Sequence, residues 1–174
     1  MVRGRKNPLH FGLGKRLAAA RKEQKIGGKP LSLAAGLAMT AVLRIEQDSS
    51  IPSVDTVAKL AAVLKVSPSY LAYGIAPRSS PSTWEQESAL PQRLRQLREE
   101  RDLSLNALAK LSGVARTTIG YIEAKETAPS IATIELLAQA LGVSVCWLAF
   151  AEQLEGEEVA RPTTTESAHT SGQS

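Results

Sequence analysis

The chain repeats itself once, at an offset of 77 residues. With no gap, LGKRLAAARKEQ from Leu13 falls on LPQRLRQLREER from Leu90, and SVDTVAKLAAVLKVSPSYLAYG from Ser53 falls on SIATIELLAQALGVSVCWLAFA from Ser130. About a third of the aligned positions are identical over roughly 60 residues, among them Arg21/Arg98, Gly36/Gly113, Thr40/Thr117, Glu46/Glu123 and Pro52/Pro129. Many short repeats build a stacked array, whereas two copies at a long period, each with its own apolar core positions, predict two independently folded domains. The expected organisation is a basic arm at 1–8, a first domain at 9–75, a linker at 76–88, a second domain at 89–152 and a polar tail at 153–174.

Each domain is near the lower limit at which a chain of this kind buries enough surface to fold. Aromatic residues make up only 4% of the 174, so the cores must be built from Leu, Ala, Val and Ile. A single cysteine cannot form an intramolecular disulfide, and no Cys/His cluster has metal-ligand spacing, so no metal or cofactor is expected and a reducing cytoplasm fits. No apolar run is long enough to span a bilayer, and the basic start MVRGRKNPLHFG lacks the apolar segment of a secretion signal.

The net charge of +4 hides an asymmetry. Residues 1–80 carry 13 Lys/Arg against 4 Asp/Glu, and residues 81–174 carry 8 against 13. The first copy therefore has the surface suited to a polyanion, and much of the acidity of the second half lies in the Ser/Thr/Glu-rich tail, whose composition predicts disorder. APRSSPSTWEQES, with two prolines and four serines, reads as a linker, with a reach of about 20 Å as a coil and about 40 Å extended.

Hydrophobic periodicity predicts five short helices and no strand in each copy. Leu13, Leu17 and Ala20, and in the second copy Leu90, Leu94 and Leu97, recur at helical spacing. Ser104 is placed to cap a second helix that would bury Leu105, Leu108 and Leu111, and Gly113 breaks it. A third helix is expected from about Ala115 to Ala124, with Ile119 and Ile122 inward and Arg116, Thr117, Thr118, Gly120 and Tyr121 outward. Pro52-Ser53 and Pro129-Ser130 mark the start of a fourth, and Ser67-Pro68 the start of a fifth.

Two short helices joined through a glycine turn, the second with a polar outer face, form a helix-turn-helix. SLNALAKLSGVARTTIGYIEAKETAPSIATIELLAQALGVSVCWL resembles the domain of the phage repressor and Cro (XRE-like) family, and GLAMTAVLRIEQDSSIPSVDTVAKLAAVLKVSPSYLAYG resembles it more loosely. The resemblance implies an all-α chain of two tandem five-helix domains that binds double-stranded DNA as a transcriptional regulator, a repressor, in a bacterial or phage-type cytoplasm. It implies that Arg116, Thr117, Thr118 and Tyr121 in the second copy, and Met39, Thr40, Ala41 and Arg44 in the first, face bases. Arg116 suits guanine, whereas the first copy offers mostly apolar contacts that would read thymine methyls or shape. Arg21 with Glu46 and Arg98 with Glu123 match a structural ion pair of the family. Tyr70 and Trp147, which align, are expected as core aromatics. The family's usual Ser or Thr at the cap of the third helix is Ala38 and Ala115 here, and its frequent Gln near the start of the second helix is Gly28 and Leu105. The two glycines and the proline of IGGKP are expected to loosen or shorten the start of the first copy's second helix.

Arg3, Arg5 and Lys6, with Lys15, Arg16, Lys22, Lys25 and Lys29, are placed to follow a phosphate backbone or an adjacent minor groove. Further partners consistent with the sequence are a second copy of the chain, paired through fifth helices bearing Leu71, Tyr73, Leu148 and Phe150, and an unrelated protein. The protein partner belongs to an alternative function, in which one copy keeps DNA and the other has become an interaction module of the antitoxin or anti-activator kind. No catalytic constellation is visible: His10 and His169 lie in an arm and a tail where nothing pairs them with a Ser or Cys in a catalytic arrangement, and Cys146 has no basic neighbour to activate it.

Overall fold

The computed structural model of the chain describes residues 8–76 and 89–152. The expected arm residues Arg3, Arg5 and Lys6, the linker from 77 onward and the tail from 153 lie outside the described residues. Within them the first copy forms α1 (Leu13–Glu23), α2 (Gly28–Ala34), α3 (Ala41–Glu46), α4 (Val54–Leu64) and α5 (Pro68–Tyr73). The second forms α6 (Leu90–Glu100), α7 (Leu105–Ser112), α8 (Arg116–Glu123), α9 (Ile131–Leu141) and α10 (Val145–Phe150).

Local chemistry sets most of these boundaries. The hydroxyls of Ser53, Ser67, Ser104 and Ser130 accept the N–H of the residue three positions on, at 3.1–3.2 Å, satisfying one orphan donor at the start of α4, α5, α7 and α9. Each such cap stabilises its helix by about 1 kcal/mol. The turn glycines Gly36 and Gly113 adopt φ of +67° and +73°, and a Cβ at either would meet nothing within 4 Å. Backbone conformation, not lack of space, therefore favours glycine there. α2 has only Gly27 at its N-cap and no side-chain cap, yet it starts at Gly28, the position aligned with Leu105 at the start of α7. Pro30 falls in its first turn, where a missing N–H costs no helical hydrogen bond, so the start of α2 is not shortened.

The core is aliphatic, with Leu17, Val42, Val57, Leu60, Leu64, Leu94, Leu108, Ile119, Ile122, Ile134, Leu137 and Leu141 all buried. Two apolar residues depart from expectation. Leu111 is 60% exposed, because it falls some 60° around α7 from the buried Leu108 and the last turn of this short helix carries it off the buried stripe. Tyr70 is exposed rather than core, whereas Trp147, at the aligned position, is half-buried. The buried aromatics of the fifth helices are Tyr73 and Phe150.

The two copies do not stand apart. They share one continuous hydrophobic core, formed where α5 and α4 of the first copy pack on α10 of the second. Ser53 and Ser130 pair as an isolated antiparallel bridge, in which the Val54 amide donates to the Pro129 carbonyl (2.9 Å) and the Ile131 amide to the Pro52 carbonyl (3.1 Å). Each residue meets the partner of its own equivalent 77 positions away, which is the signature of an isologous, two-fold contact. Tyr73 and Phe150, also aligned, pack as tilted rings 6.2 Å apart, and the Tyr73 hydroxyl donates to the Ile131 carbonyl. Leu71, Tyr73, Leu148 and Phe150, the side chains expected to pair two chains, are all buried inside one chain. The two copies, expected as two domains, pack as a dimer-like unit within one polypeptide, with their fifth helices in contact.

Two cross-contacts break the symmetry. The Glu135 carboxylate accepts the amides of Leu9 and His10 and meets His10 Nδ1 at 2.6 Å, whereas its aligned residue is Ala58. Glu152, nearly buried, accepts the Ser67 hydroxyl and the Ser69 amide at the start of α5, both at 3.0 Å. Beside Ala58 and Glu152 lies a cavity of about 430 Å³ between the copies, lined also by Val54, Arg93 and Phe150.

Candidate nucleic-acid interface

In the second copy, α7, the Gly113 turn and α8 form the helix-turn-helix. Ile119 and Ile122 anchor α8 from below, leaving Arg116, Thr117 and Tyr121 exposed and Thr118 half-buried. In the first copy the same role falls to α2, the Gly36 turn and α3. Val42 and Ile45 anchor α3, Met39, Thr40 and Arg44 are exposed, and Ala41 is half-buried.

The reading helices differ in length because their starts differ. α8 begins at Arg116, but α3 begins at Ala41, so Met39, aligned with Arg116, sits in the turn before the helix. Neither helix has a side-chain cap from its own N-cap residue, Thr40 or Ala115. In the first copy Ser32 of α2 supplies the acceptor: its buried hydroxyl donates to the Gly28 carbonyl (3.0 Å) and accepts the Val42 amide (3.2 Å). That clamp ties α3 to α2 where sequence alone shows no cap.

Below each reading helix, an arginine of the first helix grips a glutamate at the end of the third. Arg21 Nε and Nη2 donate to Glu46 at 2.7 and 3.1 Å, and Arg98 Nε and Nη2 to Glu123 at 2.7 and 2.8 Å. A third donor on each guanidinium reaches the carbonyl of Ile26 or Leu103, both at 3.0 Å. The hydrogen bonds each guanidinium donates to its carboxylate hold both arginines above their ordinary basicity, so each stays charged and fork-like. Bidentate geometry on both sides fixes the third helix in rotation as well as position.

The structure separates Arg16 from the other basic residues grouped with the arm. Its Nε and Nη2 donate to the carbonyls of Leu71 and Ala72 (3.0 and 2.6 Å), and Nη1 to Phe11 (3.1 Å). Burial lowers its basicity. Arg93, its aligned residue, donates to the matching carbonyls of Leu148 and Ala149 and lies 5.9 Å from the Trp147 ring centre. Both arginines cap the last carbonyls of a fifth helix, so Arg16 is committed to the fold rather than to phosphate. Its position on α1 among Lys15 and Lys22 gave no sign of this. The one signal available in the sequence was that an arginine recurs at both aligned positions. By contrast Lys15, Lys22, Lys25 and Lys29 are exposed.

The reading helices expose one further residue that sequence reasoning passed over. Leu43 is 52% exposed on α3, beside Met39 at 54%. Cys146 is fully buried, and among the described residues no group of His, Cys, Asp and Glu is arranged to hold a metal ion. Among the same residues no helix is long and apolar enough to cross a membrane.

The folded chain is thus an all-α protein bearing two helix-turn-helix units related by an approximate two-fold axis. A model of the helix-turn-helix family matches it twice, over residues 17–71 and 94–148, and the chain belongs to that family. It is 38% identical over 69 residues to Control protein C.SmaI of Serratia marcescens, a match covering 40% of this chain and 82% of that one. It is 42% identical over 50 residues to the HTH-type transcriptional regulator SutR of Escherichia coli (strain K12), covering 29% of this chain and 28% of the relative. No solved structure matches the chain at a significant level.

Proposed function

We propose that the chain is a repressor that acts as a dimer in one polypeptide, placing α3 and α8 in the major groove of a bipartite operator whose halves differ. The observation that carries this reading is the exchanged pair of hydrogen bonds at Ser53/Ser130, which relates two reading heads by an approximate two-fold axis while their side chains differ: Met39, Thr40, Ala41 and Arg44 against Arg116, Thr117, Thr118 and Tyr121. A symmetric homodimer reads a palindrome. A fused, diverged pair reads a site with unlike halves at fixed spacing.

Affinity then comes from cations on phosphate, with Arg3, Arg5 and Lys6 following the backbone or an adjacent minor groove, and specificity from the third helices. Arg116 donates two hydrogen bonds to guanine O6 and N7, a contact worth about 1–3 kcal/mol of discrimination. Covering the fifth helices within the chain also removes the apolar face through which two chains would pair.

Selection of the full-length protein against randomised duplex DNA, with the stoichiometry of the winning complex, tests this. One chain on a site with two dissimilar halves supports the proposal, and Arg116→Ala should relax preference in one half only. Two chains per site, or enrichment of one short half-site, refutes it. The exposed apolar side chains of the first copy, Leu33, Met39 and Leu43, favour a second reading in which that copy binds a protein and only α8 reads DNA. Under that reading, Arg44→Ala leaves DNA affinity unchanged.

A further inference from the structure

We propose that the first copy's reading head detects the C5-methyl group of pyrimidines through Met39 and Leu43, so that its half-site is recognised by thymine methyls and responds to C5 methylation of cytosine. This rests on the reading of α3 as a major-groove helix and deepens it.

Met39, in the turn that leads into α3, and Leu43, in the first turn of that helix, are exposed apolar side chains at its N-terminal end. Both are more than half exposed. Neither is needed to hold α3, which is fixed by buried Val42 and Ile45 and by the Ser32 clamp. In α8 the aligned positions are Arg116, a fork of donors, and Gly120, which has no side chain. The two heads therefore differ in kind: one offers a hydrogen-bonding guanidinium where the other presents apolar side chains.

Hydrocarbon pressed on a base-edge donor or acceptor strips its water without replacing it, and is disfavoured. The C5-methyl group is the one apolar feature of the major-groove edge, so it is the feature that Met39 and Leu43 recognise favourably. Charge argues for a nucleic-acid occupant of this face. Arg44 on α3 and Lys29 on α2 are exposed nearby, and the first 80 residues carry 13 Lys/Arg against 4 Asp/Glu. 5-Methylcytosine carries the same methyl at the same ring position as thymine, so a methyl-reading face responds to either.

The test uses the duplex selected by the full-length chain, remade with deoxyuridine in place of thymidine in one half-site at a time. Losing a covered methyl should weaken binding about fourfold, the effect of one buried carbon. In one half the penalty should vanish in the Met39→Ala/Leu43→Ala double variant but persist in Arg116→Ala. At the responding positions, C·G pairs carrying 5-methylcytosine should bind more tightly than unmodified C·G by a similar factor; equal binding overturns the response to cytosine methylation. Leu43→Gln, which replaces the apolar branch with an amide and leaves the buried anchors intact, gives a second variant and should also lose the penalty. No uracil penalty in either half, or one that survives both variants, overturns the proposal and leaves this face to a protein contact. Failure to enrich any duplex is a different result: it overturns the reading of α3 as a DNA helix.

Discussion

Truncating Tyr73 to alanine should destabilise the copy that does not contain it. It is 4% exposed, its ring packs on Phe150 at 6.2 Å and its hydroxyl donates to the Ile131 carbonyl at 3.1 Å, so both ring and hydroxyl contact the other repeat. The ring pair contributes about 0.5–1.5 kcal/mol beyond simple burial, and the hydrogen bond about 1 kcal/mol. Aromatic-to-alanine changes in cores total about 3–5 kcal/mol once the cavity is included. Phe150 also borders the cavity between the repeats and has room to shift, which places this variant near the low end, at about 3 kcal/mol. For a unit of this size that is on the order of 10 °C in Tm. Amide exchange is the assay, because it reports each helix separately. If the repeats fold as one unit, slowly exchanging amides of α9, such as Leu137 and Leu141, lose about as much protection as those of α4, such as Leu60 and Leu64. Full retention of α9 protection alongside loss in α4 would refute the coupling and restore two independent domains.

Glu123→Ala should cost about 3 kcal/mol in urea unfolding, since it leaves Arg98, at 13% side-chain exposure, with the 60%-exposed Glu99 as its remaining carboxylate partner. Glu46→Ala should cost less, because both side chains of its pair are 17% exposed and water can reach Arg21; equal costs would contradict this ranking. Arg16→Gln should lower Tm but leave the slope of log K against log salt unchanged, whereas a slope reduced by about one unit would mean that Arg16 does meet phosphate. Deletion of residues 1–7 should lower DNA affinity and flatten that slope, and an unchanged slope removes the arm from the interface. Burial pushes the Tyr73 phenol well above its ordinary value of 10.0, with smaller contributions from Cys146 and Glu135. A raised folded-state pKa gives stability that is complete below the unfolded value and lost as pH rises beyond it. Stability should therefore fall above pH ~10 more steeply in the native chain than in Tyr73→Phe, and parallel alkaline profiles would contradict that.

The helices were legible in the sequence because their signals are local. Serine caps, glycine turns and the period of Leu, Ile and Val act over one or two turns, and the match between two copies doubled each signal. The failures were rotational or cross-chain. Leu111 lies at the edge of its stripe, and on a helix of eight residues a small rotation exposes it. Tyr70 and Tyr73 are both plausible core aromatics by type, and only the packing of α5 on α10 buries the second and leaves the first out. Arg16 looked like one more surface cation until the carbonyls of Leu71 and Ala72, more than 50 residues away, took up its donors.

The sequence by itself determined that this is a duplicated helix-turn-helix chain, which serines and glycines delimit many of its helices, and that Arg116, Thr117 and Tyr121 face outward on the third helix of the second copy. These follow from backbone preference and helical period, which need no knowledge of neighbours. Only the tertiary structure decided that the copies close on each other through Ser53/Ser130 and Tyr73/Phe150, that Glu135 and Glu152 each bond across the junction on one side only, and that Met39 and Leu43 remain uncovered. Those facts depend on which apolar faces are left over once each copy has folded, and burial of a leftover face is set by the surface it meets, which no local pattern encodes.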